Sequence, residues 1–200
     1  VVTTADELMK AKTKSNKNII SIPNGVDVFH FSKIINNDTV ISKEMRNFSK
    51  PIIGYVGSIF QWIDIDWIAF AANELPDHDF VFIGPITIDI SCFDSFKNVH
   101  FIGPKPYEEL PTYMKAFDVA VIPFVIDEVT IKASPIKFYE YLASGIPIVS
   151  TRLPDLEIFE NLVYLTKNKK DYVHFIKKAL KEDNDELRKE FINKLQKVGY

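Results

Sequence analysis

Residues 134–151, SPIKFYEYLASGIPIVST, place a helical segment directly before a strand. Over 135–144, apolar and aromatic side chains recur at the three- and four-residue spacing of a helix, and Gly145 is the residue type that ends helices. The next run, 146–150, is short and mostly apolar, as in a strand that is buried on both faces. A helix that leads into a buried strand predicts a strand–helix–strand unit, from which parallel sheets are built.

The same alternation continues on both sides of this stretch. Strands are predicted at 51–57, 79–83, 98–102, 118–124 and 162–165, and helices at 62–74, 107–116, 155–160, 169–182 and 184–197. Because the strands show little alternation of polar and apolar residues, helices are expected to cover both faces of the sheet. The sequence therefore predicts an α/β fold with a parallel sheet of about six strands, and such sheets bind ligands at the carboxyl ends of their strands.

The composition excludes several classes of protein. With 46% hydrophobic and 26% charged residues among 200, the chain has the apolar content of a folded domain. No uncharged apolar run reaches the roughly 18 residues of a membrane-spanning helix. The single cysteine, Cys92, excludes an internal disulfide and a cysteine-based zinc cluster, and a formal charge of −3 gives no basic field for nucleic acid. The four scattered histidines predict no metal site: His30, His78, His100 and His174.

The first fifty residues differ from the rest of the chain. They hold eight of the 24 basic residues and many asparagines, serines and threonines. A helix is predicted at 5–14 and a strand at 19–22, followed by a Pro-Asn-Gly turn at 23–25. The segment 32–49 is predicted to be a surface connection.

Three motifs occur along the chain. The first is IPNGVD at 22–27, followed by Phe31; the second is NVHFIG at 98–103, with a pattern that continues to residue 123; the third is 134–151. In their order and spacing, the three together resemble GT-B glycosyltransferases of the family-4 type, in which the first motif is the hinge between two domains. The resemblance implies a Rossmann-like domain that binds a nucleoside-diphosphate sugar.

The resemblance also divides the chain. It implies that residues 1–50 are the end of an acceptor-binding N-terminal domain and the hinge, and that 51–200 are the nucleotide-sugar-binding domain. The implied activity is transfer of a sugar, with retention, from a UDP- or GDP-linked donor to a hydroxyl of a carbohydrate or glycolipid acceptor, in polysaccharide or glycoconjugate synthesis. No cofactor other than this donor substrate is expected. Since the acceptor site and any catalytic acid or base are expected on the N-terminal domain, these 200 residues are expected to bind nucleotide without transferring sugar.

In the third motif, physical reasoning and the resemblance indicate the same residues. Ser134 is predicted to cap the helix and Pro135 to occupy its first turn. Lys137, Glu140 and Tyr141 share one helix face, and the helix N-terminus at a strand's carboxyl end suits an anion. The resemblance implies that Glu140 accepts hydrogen bonds from ribose hydroxyls. Without the resemblance, Lys137 and Glu140 also fit a solvated salt bridge.

The resemblance extends the predicted donor site to neighbouring strand ends. Gly57 and Ser58 are expected beside the donor phosphates, and 103–105 beside the nucleotide base, largely through the backbone. The complete predicted donor-binding set is Gly57, Ser58, Gly103, Pro104, Lys105, Lys132, Ser134, Pro135, Lys137 and Glu140.

Two departures from the family pattern affect this site. Many members carry two glutamates eight positions apart; Glu140 is the second, but Lys132 stands at the first position. Asp127 and Glu128 are candidates to hold the sugar hydroxyls instead. Many members also place Arg and Lys just after the first strand, whereas 58–64 contain no basic residue. The phosphate charge is then expected to fall to Lys137, Lys132, Arg152 or the helix terminus.

Two alternative functions stay open. A GT-B nucleotide-sugar epimerase or a hydrolase-like relative would consume the donor without an acceptor, and a non-catalytic domain that kept the fold would bind no nucleotide. With one cysteine and no signal peptide at Val1, the cytoplasm is the expected compartment. From Lys167 onward there are ten basic and six acidic residues, which leaves open a peripheral contact with the inner face of the membrane. A pair of solvated amphipathic helices is the favoured interpretation of this segment.

Overall fold

The computed structural model describes residues 1–49, 51–182 and 192–193. The strands are β1 (Val2–Thr3), β2 (Ile20–Ser21), β3 (Ile52–Val56), β4 (Asp79–Ile83), β5 (Val99–Phe101), β6 (Val119–Ile122), β7 (Ile148–Thr151) and β8 (Tyr164–Thr166). The helices are α1 (Asp6–Thr13), α2 (Val28–Phe31), α3 (Ile65–Glu74), α4 (Leu110–Met114), α5 (Ile136–Ser144) and α6 (Lys169–Glu182).

A six-stranded parallel sheet forms the centre of the molecule. Its strand order is β5-β4-β3-β6-β7-β8, and every residue of β3 is buried. Ile53 pairs with Phe80 of β4 on one side and with Val119 of β6 on the other. This order confirms the predicted Rossmann-like α/β fold. From β3 the chain adds β4 and β5 on one side of the sheet, and β6, β7 and β8 then follow on the other side. Such sheets form a ligand-binding crevice at this switch point, between β3 and β6.

Helices cover the sheet in two groups. On one face α6 packs against α3 and β7; in the other group α5 packs against α2 and β7, and α4 packs against α2. The predicted helix 169–182 is confirmed in full as α6. The helix predicted at 184–197 lies outside the described residues, apart from 192–193.

Several predicted helices are shorter in the structure. The helix expected at 62–74 begins only at Ile65, because the Asp64 carboxylate caps it by accepting from the Trp67 N–H at 3.0 Å. The one expected at 107–116 is a 3-10 turn, Tyr107–Glu109, followed by α4. The one expected at 155–160 is entirely 3-10.

The N-terminal segment forms a separate parallel ribbon. β1 pairs with β2, and α1 connects the two strands along the chain. Among the described residues, no further strand pairs with either of them. The prediction that 32–49 is a surface connection is wrong in part, since Ile34 and Met45 are buried in the main core together with Phe31. These apolar side chains fix the segment to the sheet-covering helices.

No helix in the described part of the chain has both the length and the apolar character needed to cross a bilayer.

Gly54 leaves room for an aromatic ring in the core. A Cβ at this position would lie 2.2 Å from ring carbons of Phe117, which is fully buried. We expect Gly54→Ala to lower the free energy of unfolding by about 1–3 kcal/mol through overpacking, measured by urea denaturation. Gly25→Ala is the matched control, because a Cβ there meets nothing within 4 Å. Equal stability of both variants would contradict this account of the core.

Candidate donor-binding site

Glycine-containing turns align along the carboxyl edge of the sheet. The Gly57 N–H donates to the Ile83 carbonyl at 2.8 Å, and the Gly84 N–H donates to the Gly103 carbonyl at 3.0 Å. A Cβ at Gly84, where φ is +150°, would lie 2.1 Å from the Gly57 carbonyl oxygen. Only glycine permits this approach of two backbones. Two of the predicted strand-end positions, Gly57 and Gly103, therefore lie on one edge, bridged by Gly84.

Helix α5 begins at this edge with an open N-terminus. Pro135 occupies the N-cap position, and no side chain caps the helix. The prediction that Ser134 is the cap is wrong: its hydroxyl lies 3.5 Å from the Tyr139 hydroxyl and faces Asp155. At the other end, Gly145 stops the helix at φ +69°, as predicted. The first N–H groups of α5 thus lack a side-chain partner, which is the condition for binding an anion.

Lys137 lies partly buried beside Gly57. A Cβ on Gly57 would meet Lys137 Cε at 2.7 Å. The ammonium lies 4.9 Å from the ring centroid of Phe124 and 5.4 Å from that of Tyr55. Burial lowers the Lys137 pKa to about 8, and the charge of Glu140 opposes the shift. The solvated salt bridge considered from the sequence does not describe this lysine.

Glu140 follows one turn later on the same helix. Burial raises the pKa of its carboxyl, and Lys137 opposes the rise. Its charge also raises the pKa of Tyr107, after the larger effect of burial. Glu140 therefore interacts electrostatically with both Lys137 and Tyr107.

Tyr141 fixes α5 to the central strand. Its hydroxyl accepts from the Val56 N–H at 2.7 Å and lies 3.4 Å from the Val56 carbonyl oxygen, with no solvent exposure. This contact sets the distance between the helix N-terminus and the Gly57 turn. The sequence placed Tyr141 on the same face as Lys137 and Glu140, but it did not reveal this anchor.

The IPNGVD segment and the helix α2 that follows it lie beside α5. The Asn24 side-chain amide donates to the Ser134 carbonyl at 2.7 Å. His30 Nε2 donates to the Tyr107 carbonyl at 3.0 Å, and the two rings stack with centroids 4.7 Å apart. Asp27 caps α2 by accepting from the His30 N–H. The first motif therefore contacts the loop before α5 through Asn24, and the helix α2 that follows it contacts the turn after β5 through His30.

Two other basic residues of the predicted site form ion pairs within the chain. Lys105 forms an ion pair with Glu44 at 2.6 Å and lies over the Tyr113 ring. Arg152 pairs with Glu157 at 3.3 Å. Lys132 ends a 3-10 turn, Thr130–Lys132, in the loop that precedes α5. Lys137 is the predicted lysine whose side chain lies against Gly57.

The remaining predicted positions lie around this centre. Ser58 follows Gly57, and its carbonyl accepts from the Tyr55 hydroxyl at 3.1 Å. Pro104 is exposed at the end of the β5 turn. Asp127 uses its carboxylate to accept from the N–H groups of Val129 and Thr130, which shapes its own loop. Among the described residues, no group of histidine, cysteine and carboxylate side chains is arranged to hold a metal ion.

Comparison with known proteins identifies the family. The family model for glycosyl transferases group 1 matches residues 50–182. The chain belongs to this family. A relative named for teichuronic acid biosynthesis, the glycosyltransferase TuaH of Bacillus subtilis (strain 168), is 28% identical over 192 residues. The alignment covers 92% of this chain and 48% of TuaH, so the chain spans about half the length of this relative.

Solved structures share the fold. WaaG, a glycosyltransferase involved in lipopolysaccharide biosynthesis, superposes with a TM-score of 0.71 at 18% identity, over 96% of this chain and 56% of WaaG. HepE of Anabaena, in complex with UDP and glucose, has a TM-score of 0.64 at 14% identity, over 99% of this chain and 62% of HepE. At these identities the likeness establishes the GT-B type of fold.

The buried ammonium of Lys137 predicts a pH-dependent stability. Between its folded pKa of about 8 and the ordinary 10.5, the unfolded chain binds more protons, so wild-type stability rises with pH across this window. We expect Lys137→Met to raise the free energy of unfolding by up to about 3 kcal/mol at pH 7, with the gain shrinking as the pH approaches 10. Urea denaturation at several pH values measures this difference.

The exposed Lys177 supplies the control for that series. Lys177→Met removes the same charge from the surface and should leave stability nearly unchanged at every pH. If the difference in the free energy of unfolding between Lys137→Met and the wild type is also constant from pH 7 to 10, burial of the ammonium does not destabilise the unliganded protein.

Proposed function

We propose that this chain is the donor-binding half of a glycosyltransferase, and that it binds a nucleoside-diphosphate sugar at the carboxyl edge of β3 and β6. The observation that carries the proposal is the buried ammonium of Lys137, held beside Gly57 at the uncapped N-terminus of α5. A buried cation and a free helix N-terminus both favour the same ligand, which is a multiply charged anion.

The diphosphate, the ribose and the base of the donor each have a proposed partner in this arrangement. The diphosphate lies against the α5 N-terminus and Lys137, beside the backbone of Gly57 and Ser58. Glu140 accepts hydrogen bonds from the ribose hydroxyls, and the turn at Gly103 and Pro104 contacts the base through its backbone. The donor is UDP- or GDP-linked, and no other cofactor or metal takes part. The structure of HepE with UDP and glucose supports a nucleotide of this class.

In the proposed reaction the sugar moves to an acceptor hydroxyl with retention at the anomeric carbon. The acceptor attacks from the face that the diphosphate leaves, and the α5 N-terminus and Lys137 stabilise the charge on the departing diphosphate. The carbohydrate or glycolipid acceptor binds through the part of the protein that lies outside this chain. The names of TuaH and WaaG support polysaccharide or glycoconjugate synthesis as the context. The proposed location is the cytoplasm, with peripheral contact at the inner face of the membrane.

A binding titration with UDP, GDP and ADP tests the donor site. We expect saturable binding of one of the three, weakened about tenfold or more by Lys137→Ala and by Glu140→Ala, because each removes a charged hydrogen-bonding partner of the ligand. Calorimetry measures the dissociation constants.

Arg152→Ala is the matched control, because this nearby guanidinium is already paired with Glu157. Its affinity should stay within twofold of the wild type. Absence of saturable binding at millimolar nucleotide would contradict the proposal and favour a domain that kept the fold without the site.

The isolated 200 residues should bind the donor without transferring its sugar. A radiolabelled donor sugar, incubated with the chain and with candidate acceptors, should remain attached to its nucleotide. Sugar transfer would refute the assignment of the acceptor site to another part of the protein, and loss of donor without any acceptor would favour an epimerase or a hydrolase.

A further inference from the structure

Tyr107 is an exposed aromatic residue at the carboxyl edge of the sheet. It begins the 3-10 turn Tyr107–Glu109, four residues after Gly103 at the end of β5, and 46% of its surface is open to solvent. A single exposed aromatic residue is ordinary in itself. What distinguishes Tyr107 is the support that its ring receives from buried residues of a distant segment.

Helix α2 holds the ring of Tyr107 on one side. The His30 ring stacks on it with an interplanar angle of 14° and a centroid distance of 4.7 Å, and His30 Nε2 donates to the Tyr107 carbonyl at 3.0 Å. Phe31 contacts the same ring at a nearly perpendicular angle, with centroids 5.6 Å apart. His30 and Phe31 are both buried. One face of the Tyr107 ring is therefore covered and fixed in place, and the opposite face is the one left open to a ligand.

The charged groups around Tyr107 are negative. After burial, which has the largest effect, the carboxylates of Glu140, Asp27 and Glu108 raise the pKa of the Tyr107 phenol, so all three lie near it. These charges repel a phosphate group. They do not repel an uncharged aromatic ligand, and carboxylates accept hydrogen bonds from the N–H groups that such a ligand carries. The space beside Tyr107 therefore favours a nucleobase over a diphosphate.

The arrangement of the site also matches the order of the parts of a nucleotide. Lys137 and the α5 N-terminus are the proposed phosphate contacts, and Glu140, the proposed ribose contact, follows one helical turn later, about 5 Å along α5. Glu140 interacts electrostatically with Lys137 on one side and with Tyr107 on the other. In a nucleoside diphosphate the ribose likewise lies between the phosphates and the base.

We propose that Tyr107 binds the base of the donor nucleotide by stacking the open face of its ring on it, with His30 as the support behind the ring. This inference rests on the function proposed above. It adds a side chain to a base contact that was expected largely from the backbone of Gly103 and Pro104. Because every base has a π-face, stacking favours all of them. Tyr107 therefore contributes affinity and does not select among UDP, GDP and ADP.

Ligands with a base and a ligand without one separate this role from others. UDP, GDP, ADP and inorganic pyrophosphate are titrated by calorimetry against the wild type, Tyr107→Leu and Tyr107→Phe. For the nucleotide that binds, we expect Tyr107→Leu to weaken affinity about tenfold and Tyr107→Phe to stay within twofold, because phenylalanine keeps the ring. The affinity for pyrophosphate should stay within twofold in both variants.

Phe29→Leu is the matched control. Phe29 is an exposed aromatic residue of α2, next to His30 in the chain, and its ring lies 5.4 Å from the Lys33 ammonium. The substitution removes an aromatic ring from the same helix without touching the Tyr107 ring, so nucleotide affinity should stay within twofold of the wild type.

Proton NMR of the bound nucleotide gives a second measurement, which reports on the stacking itself. Protons that lie over the face of an aromatic ring shift upfield because of the ring current. We expect the base protons to shift upfield on binding to the wild type and to Tyr107→Phe, and this shift to be lost in Tyr107→Leu at saturating nucleotide.

Four results would overturn the inference. Unchanged nucleotide affinity in Tyr107→Leu, or an upfield shift that persists in this variant, would mean that the ring does not stack on the base. Equal losses in Tyr107→Leu and Tyr107→Phe would show that the hydroxyl is the contact. Equal losses for nucleotide and pyrophosphate would show that the turn has only a structural role. All of these leave the donor site standing, whereas no nucleotide binding by the wild type at millimolar concentration would overturn the inference together with the proposed function.

Discussion

The hydrogen bonds between the Tyr141 hydroxyl and the backbone of Val56 join helix α5 to the central strand in a place without solvent. A buried phenol that pairs with a buried backbone N–H leaves neither group unsatisfied, and breaking the pair would cost more than the bond alone contributes. The contact fixes one helix turn against one strand end. The spacing of Lys137, Glu140 and Gly57 follows from it, because the first two belong to α5 and Gly57 directly follows β3.

Around this contact, the site is built from polar groups that lack a favourable partner when no ligand is bound. The Lys137 ammonium is buried against aromatic rings, and the α5 N-terminus has no side-chain cap. The surrounding sheet tolerates them because its core is continuous and the central strands β3 and β6 are paired on both sides. Local instability of this kind is typical of binding sites, where the ligand supplies the missing partner.

Sequence periodicity predicts the six strands of the sheet, because they are short apolar runs and most of them are followed by a glycine or a proline. The helix boundaries were less predictable, since side-chain caps such as Asp64 and turns such as Tyr107–Glu109 are decided by hydrogen bonds rather than by hydrophobic spacing. Within the site, Lys137, Glu140 and Gly57 were predicted and do lie together. The pairing of Lys105 with Glu44 depends on a distant segment, and no local pattern signals it.

The ribbon of β1 and β2 has a consequence for the handling of this protein. Among the described residues no third strand pairs with β1 or β2, so unpaired backbone edges and the exposed side chains of Val2 and Ile20 lie together. A two-stranded sheet contributes little stability by itself, and an open edge is a template on which another chain can add a strand. At high concentration, copies of this chain should therefore adhere to each other at the ribbon, and a charged substitution at an outward-facing ribbon position should improve colloidal stability without touching the Rossmann-like core.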